Sequence, residues 1–105
     1  MKRFDIYLVN LDPTIGSEIK KIRPALLISP DEMNDNLDTV IIAPMTTTIR
    51  KWKTRIAISF EGKKGQVALD QIRAVDKKRL VKKLGKISSQ AARLSLDTLQ
   101  EMFKL

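Results

Sequence analysis

The 105-residue sequence contains no cysteine and no histidine. Without cysteine there is neither a disulfide framework nor thiolate chemistry. Without histidine the commonest general acid–base group and the commonest metal ligand are both missing. The carboxylates supply no substitute. Asp31, Glu32, Asp35 and Asp38 form the one acidic cluster, and their spacing lacks the glycine and terminal glutamate of an EF-hand loop. Neither a metal nor another cofactor is therefore expected. No apolar run approaches the roughly 20 residues of a membrane span. Met1-Lys2-Arg3-Phe4-Asp5 enters a strand pattern without the long apolar region of a signal peptide. The expectation is a cytoplasmic protein with no membrane association.

Negative charge is scarce in one half only. Residues 1–48 carry 5 basic and 7 acidic side chains, whereas residues 49–105 carry 15 basic and 5 acidic. The net charge is +8 and the pI about 10.0. A skew of this kind suits a polyanionic partner, nucleic acid first, although a basic surface can also serve solubility alone. At 43% hydrophobic residues, the chain can fill one compact core. With no repeat and no linker, residues 1–105 read as a single domain.

Strand patterns dominate. Phe4 to Asn10 is β-branched and aromatic, with Phe4, Ile6 and Leu8 on one face, and Asp12 to Gly16 ends it with turn chemistry. Arg23 to Ser29 is nearly all apolar, hence a central strand, stopped by Pro30. Pro30 to Asp38 reads as a mobile loop. Thr39 to Ala43 is a buried strand, and Thr54 to Phe60 alternates with Ile56, Ile58 and Phe60 inward. Glu61 to Gly65 is a hairpin turn, and Gln66 to Val75 a strand bent near Asp70. Asp76 caps a short helical turn through Leu80. Val81 to Ile87 is ambiguous between helix and strand, with Gly85 arguing for strand. Ser88 caps a last helix, Ile87 stapling onto Ala92, whose Ala92, Leu96, Leu99 and Phe103 form the packing stripe. The expected fold is mainly β with a C-terminal helix, a small SH3-like antiparallel β-barrel.

The candidate site lies in the first turn. Gly16-Ser17-Glu18 and Arg23-Pro24 put a hydroxyl, a carboxylate and a guanidinium just before the central apolar strand. Gly16 tolerates positive φ, and Pro24 drives Arg23 into an extended conformation. Polar groups on a loop held by a stiff strand commonly build a site, although such a turn can also be merely solvated.

Three blocks resemble the MazF/PemK-type ribonuclease toxins of bacterial toxin–antitoxin pairs. They are Asp12-Pro13-Thr14 with Gly16-Ser17-Glu18 and Arg23-Pro24, then Val40 to Thr47, then Asp70 to Asp76 with Arg79-Leu80. They run in the family's order from Phe4 to about Leu84. The resemblance implies an SH3-like barrel forming a homodimer, metal-independent cleavage of single-stranded RNA at a short sequence, and inhibition by an acidic antitoxin.

RNA carries its own nucleophile, the 2′-hydroxyl. A catalyst must help remove that proton, stabilise charge on the phosphoryl oxygens and protonate the leaving 5′-oxygen. Arg23 matches the family's catalytic arginine and suits phosphate, unless it simply pairs with Glu18. Thr46 matches the catalytic threonine, with Thr47 and Thr48 beside it. Glu18 is the candidate base. Ser17 stands where some relatives carry a histidine, and it is expected to hydrogen-bond phosphate or substrate. Ala68 stands where one branch has a catalytic arginine, so Asp70 and Gln71 are read as substrate-contacting or structural. Trp52, between Lys51 and Lys53, either stacks on an RNA base or fills a core or interface position. The basic residues from Lys77 to Lys86 form a solvated face or a dock for the antitoxin. Two rival readings are a non-catalytic nucleic-acid-binding module and a gyrase-directed toxin.

Overall fold

The computed structural model describes residues 1–105. Its elements are β1 (Asp5–Asn10), β2 (Ile22–Leu27), α1 (Asp31–Asn36), β3 (Thr39–Thr46), β4 (Arg55–Phe60), β5 (Lys63–Ala68), β6 (Arg73–Asp76), β7 (Leu80–Lys86) and α2 (Ser89–Met102). The strands pair antiparallel in the order β4-β5-β3-β2-β1-β7, with β6 added beside β3. This sheet curls into a half-barrel, and α2 lies against β4. The expected β fold with a C-terminal helix is the one observed.

The apolar central strands follow from burial on both faces. In β2 and the residue after it, Leu26 and Ile28 point into one core while Ala25 and Leu27 point into a second. In β3, Ala43 and Met45 join the first core, and Val40 and Ile42 the second. Strands sealed on both sides lose the apolar–polar alternation that one-sided strands show. The first core also receives Leu99 and Met102 from α2.

One edge of β3 is divided. Thr39 to Ile42 pair with β6, then Met45 and Thr46 pair with β5. Pro44 sits between the two partners, in the gap of that edge. The chain bridges the gap with a 3-10 turn, Leu69–Gln71. The expected Gln66–Val75 strand is therefore two strands, broken where the bend near Asp70 was read.

Other expectations need correction. Residues 30–38 are not a mobile loop: Asp31–Asn36 form α1, pinned by a buried polar knot. Asn34 Nδ2 donates to the Ser29 carbonyl at 2.9 Å, and Ser29 Oγ accepts from Ile41 N at 3.0 Å. An Asp/Asn-rich stretch reads as loop because these side chains compete for backbone groups, and here one does so from inside. The hairpin turn is only Glu61-Gly62, both at positive φ (52° and 77°), a pairing that matches strand twist. Lys63, Lys64 and Gly65 belong to β5. Val9, not Leu8, is sealed in a core beside β7, whose pairing with β1 is irregular on either side of Tyr7 and Leu8. Val81 to Lys86 is strand. Ser88 caps α2, accepting from Ala91 N at 3.2 Å, but the helix buries Ala92 and Ser95 while Phe103 is 72% exposed. Ser95 is neutralised within the helix by donating to the Ala91 carbonyl at 2.8 Å.

Candidate functional site

Arg23 is the second residue of β2 and Thr46 closes β3, and both line the same two cavities. Arg23 is half-buried, with Nε donating to the Lys20 carbonyl at 2.8 Å. No carboxylate pairs with it: the ion pairs are Arg55–Asp70, Lys83–Asp5 and Lys104–Glu101. The terminal guanidinium nitrogens are thus free for a ligand. Thr46 is only 8% exposed, and its Oγ1 accepts from Thr48 N at 3.1 Å. That bond fixes the rotamer and leaves the hydroxyl proton to donate.

The larger cavity, about 460 Å³, is lined by Ser17, Glu18, Lys20, Arg23, Thr46, Thr48, Arg50, Trp52, Arg55 and Gln71, among others. Four cations and one carboxylate line it, and with Arg55 paired to Asp70 three cations remain, so the cleft attracts anions. The smaller, about 190 Å³, runs from Arg23 and Thr46 past Thr47 to Met45, Ile58 and Phe60, with Glu61, Lys63 and Lys64 at its rim.

The first and third sequence blocks meet because the third staples the first. Gln71 Oε1 accepts from Ile19 N at 2.7 Å, and Arg73 Nη1 donates to the Leu11 carbonyl at 3.0 Å. Arg79 Nη1 donates to the carbonyls of Asn10 and Asp12. Within the loop, Glu18 Oε1 accepts from Ile15 N at 2.6 Å, closing the turn at Gly16, whose φ is +59°. Glu18 therefore faces the cleft with one oxygen already engaged, and the alternative in which it pairs with Arg23 is not what forms.

Asp70 is held rather than free. Its carboxylate accepts from Arg55 Nε at 2.7 Å, Arg55 Nη2 at 3.2 Å and Thr54 Oγ1 at 3.0 Å. Burial pushes its pKa up, but the hydrogen bonds from Arg55, the backbone and Thr54 together bring it below the ordinary 3.8. Of its two readings, the structural one fits. The Arg55 guanidinium, on a side chain only 5% exposed, stacks on Trp52 at 4.7 Å from the ring centroid, and Arg50 approaches at 5.8 Å. Trp52 is 52% exposed, so the core alternative is excluded. Lys53 is exposed and lines neither cavity.

Gln66 was missed. Its buried amide accepts from Arg50 N at 3.1 Å and donates to the Arg50 carbonyl at 2.9 Å. This amide clamp holds the 47–54 loop over the cleft. Gly65, expected in the hairpin turn, lies inside β5. A Cβ there would lie 2.6 Å from the Thr46 carbonyl oxygen, so Gly65 lets β5 close on the strand end that carries Thr46. A glycine inside a strand is the available signal for such an approach.

Fold and cleft define a small curled β-barrel protein with a cationic site suited to polyanions. Residues 2–103 match the family described as PemK-like, MazF-like toxin of type II toxin-antitoxin system, and the chain belongs to that family. MazF of Deinococcus radiodurans has the same fold at TM-score 0.87 and 20% identity, covering 100% of this chain and 97% of that one. A mycobacterial endoribonuclease bound to its cognate antitoxin aligns at 0.84 and 23% identity, covering 100% and 96%. The MazE–MazF complex of Deinococcus radiodurans aligns at 0.82 and 20%, covering 100% and 96%. No helix is long and apolar enough to cross a membrane.

Proposed function

We propose that this toxin is a homodimeric, cytoplasmic endoribonuclease that cuts single-stranded RNA at a short sequence without a metal ion. One observation carries the reading: an unpaired Arg23 guanidinium and an oriented Thr46 hydroxyl share the wall of a cationic cleft. Membership of the toxin family and the endoribonuclease among similar structures support it.

The 2′-oxygen attacks the adjacent phosphorus, the bond to the 5′-oxygen breaks, and the products are a 2′,3′-cyclic phosphate and a 5′-hydroxyl. Arg23 stabilises charge on the non-bridging oxygens, where a preorganised cation counts most. Thr46 donates to the phosphate. Glu18, the one carboxylate lining the larger cavity, receives the 2′-proton on its unengaged oxygen, and the leaving 5′-oxygen takes its proton from water in the open cleft. Ser17, Thr47, Thr48, Trp52 and Lys53 contact RNA, whereas Asp70 and Gln71 hold the walls. An acidic antitoxin segment would occupy the same cationic cleft and exclude RNA.

The test is digestion of a long single-stranded RNA by the purified protein in excess EDTA, followed by mapping of the ends. Cuts at one motif with 5′-hydroxyl ends are expected. RNA that shifts in a gel but stays whole would favour a binding module. Whole, unshifted RNA together with blocked supercoiling would favour a gyrase-directed toxin.

A further inference from the structure

Arg23 and Thr46 have a cavity on either side, and the two differ in chemistry. The larger is polar and cationic, and its one aromatic, Trp52, already has Arg55 stacked on it and Arg50 close by. The smaller has an apolar wall of Met45, Ile58 and Phe60 and a rim carrying Lys63 and Lys64 against the single carboxylate of Glu61, so that it stays net cationic. Its volume, about 190 Å³, is below the roughly 300–1,000 Å³ of pockets for drug-sized ligands, and suits a single ring system. Phe60 is partly buried against the first core, and with Ile58 it borders both this cavity and a neighbouring one of about 410 Å³. Neither lysine is in an ion pair.

We propose that this smaller cavity is a nucleobase subsite, taking the base of a nucleotide next to the phosphate that Arg23 and Thr46 hold. The inference rests on the ribonuclease reading and adds a subsite to it. An apolar wall with a partly buried aromatic suits a base face, which any base offers to a stacking partner. The rim lysines suit the following phosphate, as point charges on flexible stems. A base seated there leaves the phosphodiester crossing the ridge between the cavities, with its sugar over Thr46. Phe60, Ile58 and Met45 are thus binding residues on the far side of the ridge from Trp52.

The test uses an oligonucleotide carrying the motif mapped by digestion, made uncleavable by a 2′-deoxy sugar at the cut. Each flanking base is replaced in turn by an abasic sugar. Binding to the wild type should weaken about tenfold at one flanking position. Ile58→Phe, which fills the cavity, should bind the intact oligonucleotide about tenfold more weakly and lose less than about twofold more at that position. A wild-type readout needs no variant: the Met45 methyl resonance should shift on binding the intact oligonucleotide and not the abasic one. Equal abasic penalties in wild type and variant, or an unmoved Met45 methyl, would overturn the subsite while cleavage persists. Absence of wild-type cleavage would instead remove the ribonuclease reading on which it rests.

Discussion

Asp70 grips Arg55 with both carboxylate oxygens, at 2.7 and 3.2 Å, and Arg55 in turn lies 4.7 Å from the Trp52 ring centroid. The acid thus reaches the cleft through the residue it holds. Bidentate guanidinium–carboxylate geometry fixes a plane as well as a distance, so the stacked Trp52 inherits its orientation.

Asp70→Asn should lower stability by about 1–3 kcal/mol at pH 7, because it leaves a nearly buried guanidinium short of its anion. The pH dependence follows from the lowered pKa. The ionised carboxylate stabilises the fold above its ordinary 3.8, and that contribution disappears as pH falls through the lower folded-state value. Thermal melts of wild type and variant should therefore differ most at neutral pH and converge in acid below 3.8.

Gln66→Leu removes both bonds to the Arg50 backbone and leaves that loop unclamped. A loss of about 1–3 kcal/mol is expected in denaturant melts. Cleavage kinetics should show KM rising more than kcat falls, since the 47–54 loop lines the cleft but Thr46 keeps its own strand.

Gly65→Ala should act in the opposite sense. The new methyl meets the Thr46 carbonyl at 2.6 Å, and backbone must move to admit it. Overpacking of this kind costs about 1–3 kcal/mol. Because the displaced residue is Thr46, kcat should fall with little change in RNA affinity, as measured on an uncleavable oligonucleotide.

Gln71→Ala frees the Ile19 amide and loosens the loop bearing Ser17 and Glu18. Amide hydrogen exchange at Ile19 should accelerate while the amides of β2 stay protected.

The sequence disclosed what local chemistry controls. Pro24 announced an extended Arg23, Gly16 a positive φ, Ser88 a helix cap, and the apolar runs at 25–28 and 40–43 the central strands. It also announced which residues meet, but only through family resemblance, since the Gln71 and Arg73 staples to the first loop span more than fifty residues. Pairings of that range leave no periodic trace. The Asn34 knot and the Gln66 clamp join nearer residues and were hidden for another reason: a buried polar residue reads as a loop or surface residue until its partner is placed. Asp70 was legible as substrate-contacting or structural, but its partner was not, because Arg55 alternates with the inward-facing Ile56 and Ile58 and so reads as outward-facing. Phe103 failed for a simpler reason: the buried face of α2 turns through Ser95, so the apolar stripe ends one residue early, at Met102.

Whether Arg23 stabilises charge on the scissile phosphate is decided by one comparison. Cleavage and binding are measured for the wild type and Arg23→Ala on the same RNA in EDTA, with the uncleavable oligonucleotide for affinity. A loss in cleavage rate of about 10²–10³-fold or more is expected, the scale set by removing a preorganised charge-stabilising group, with affinity falling far less. Cleavage that falls only in proportion to affinity would contradict it, leaving Arg23 as one phosphate contact among several.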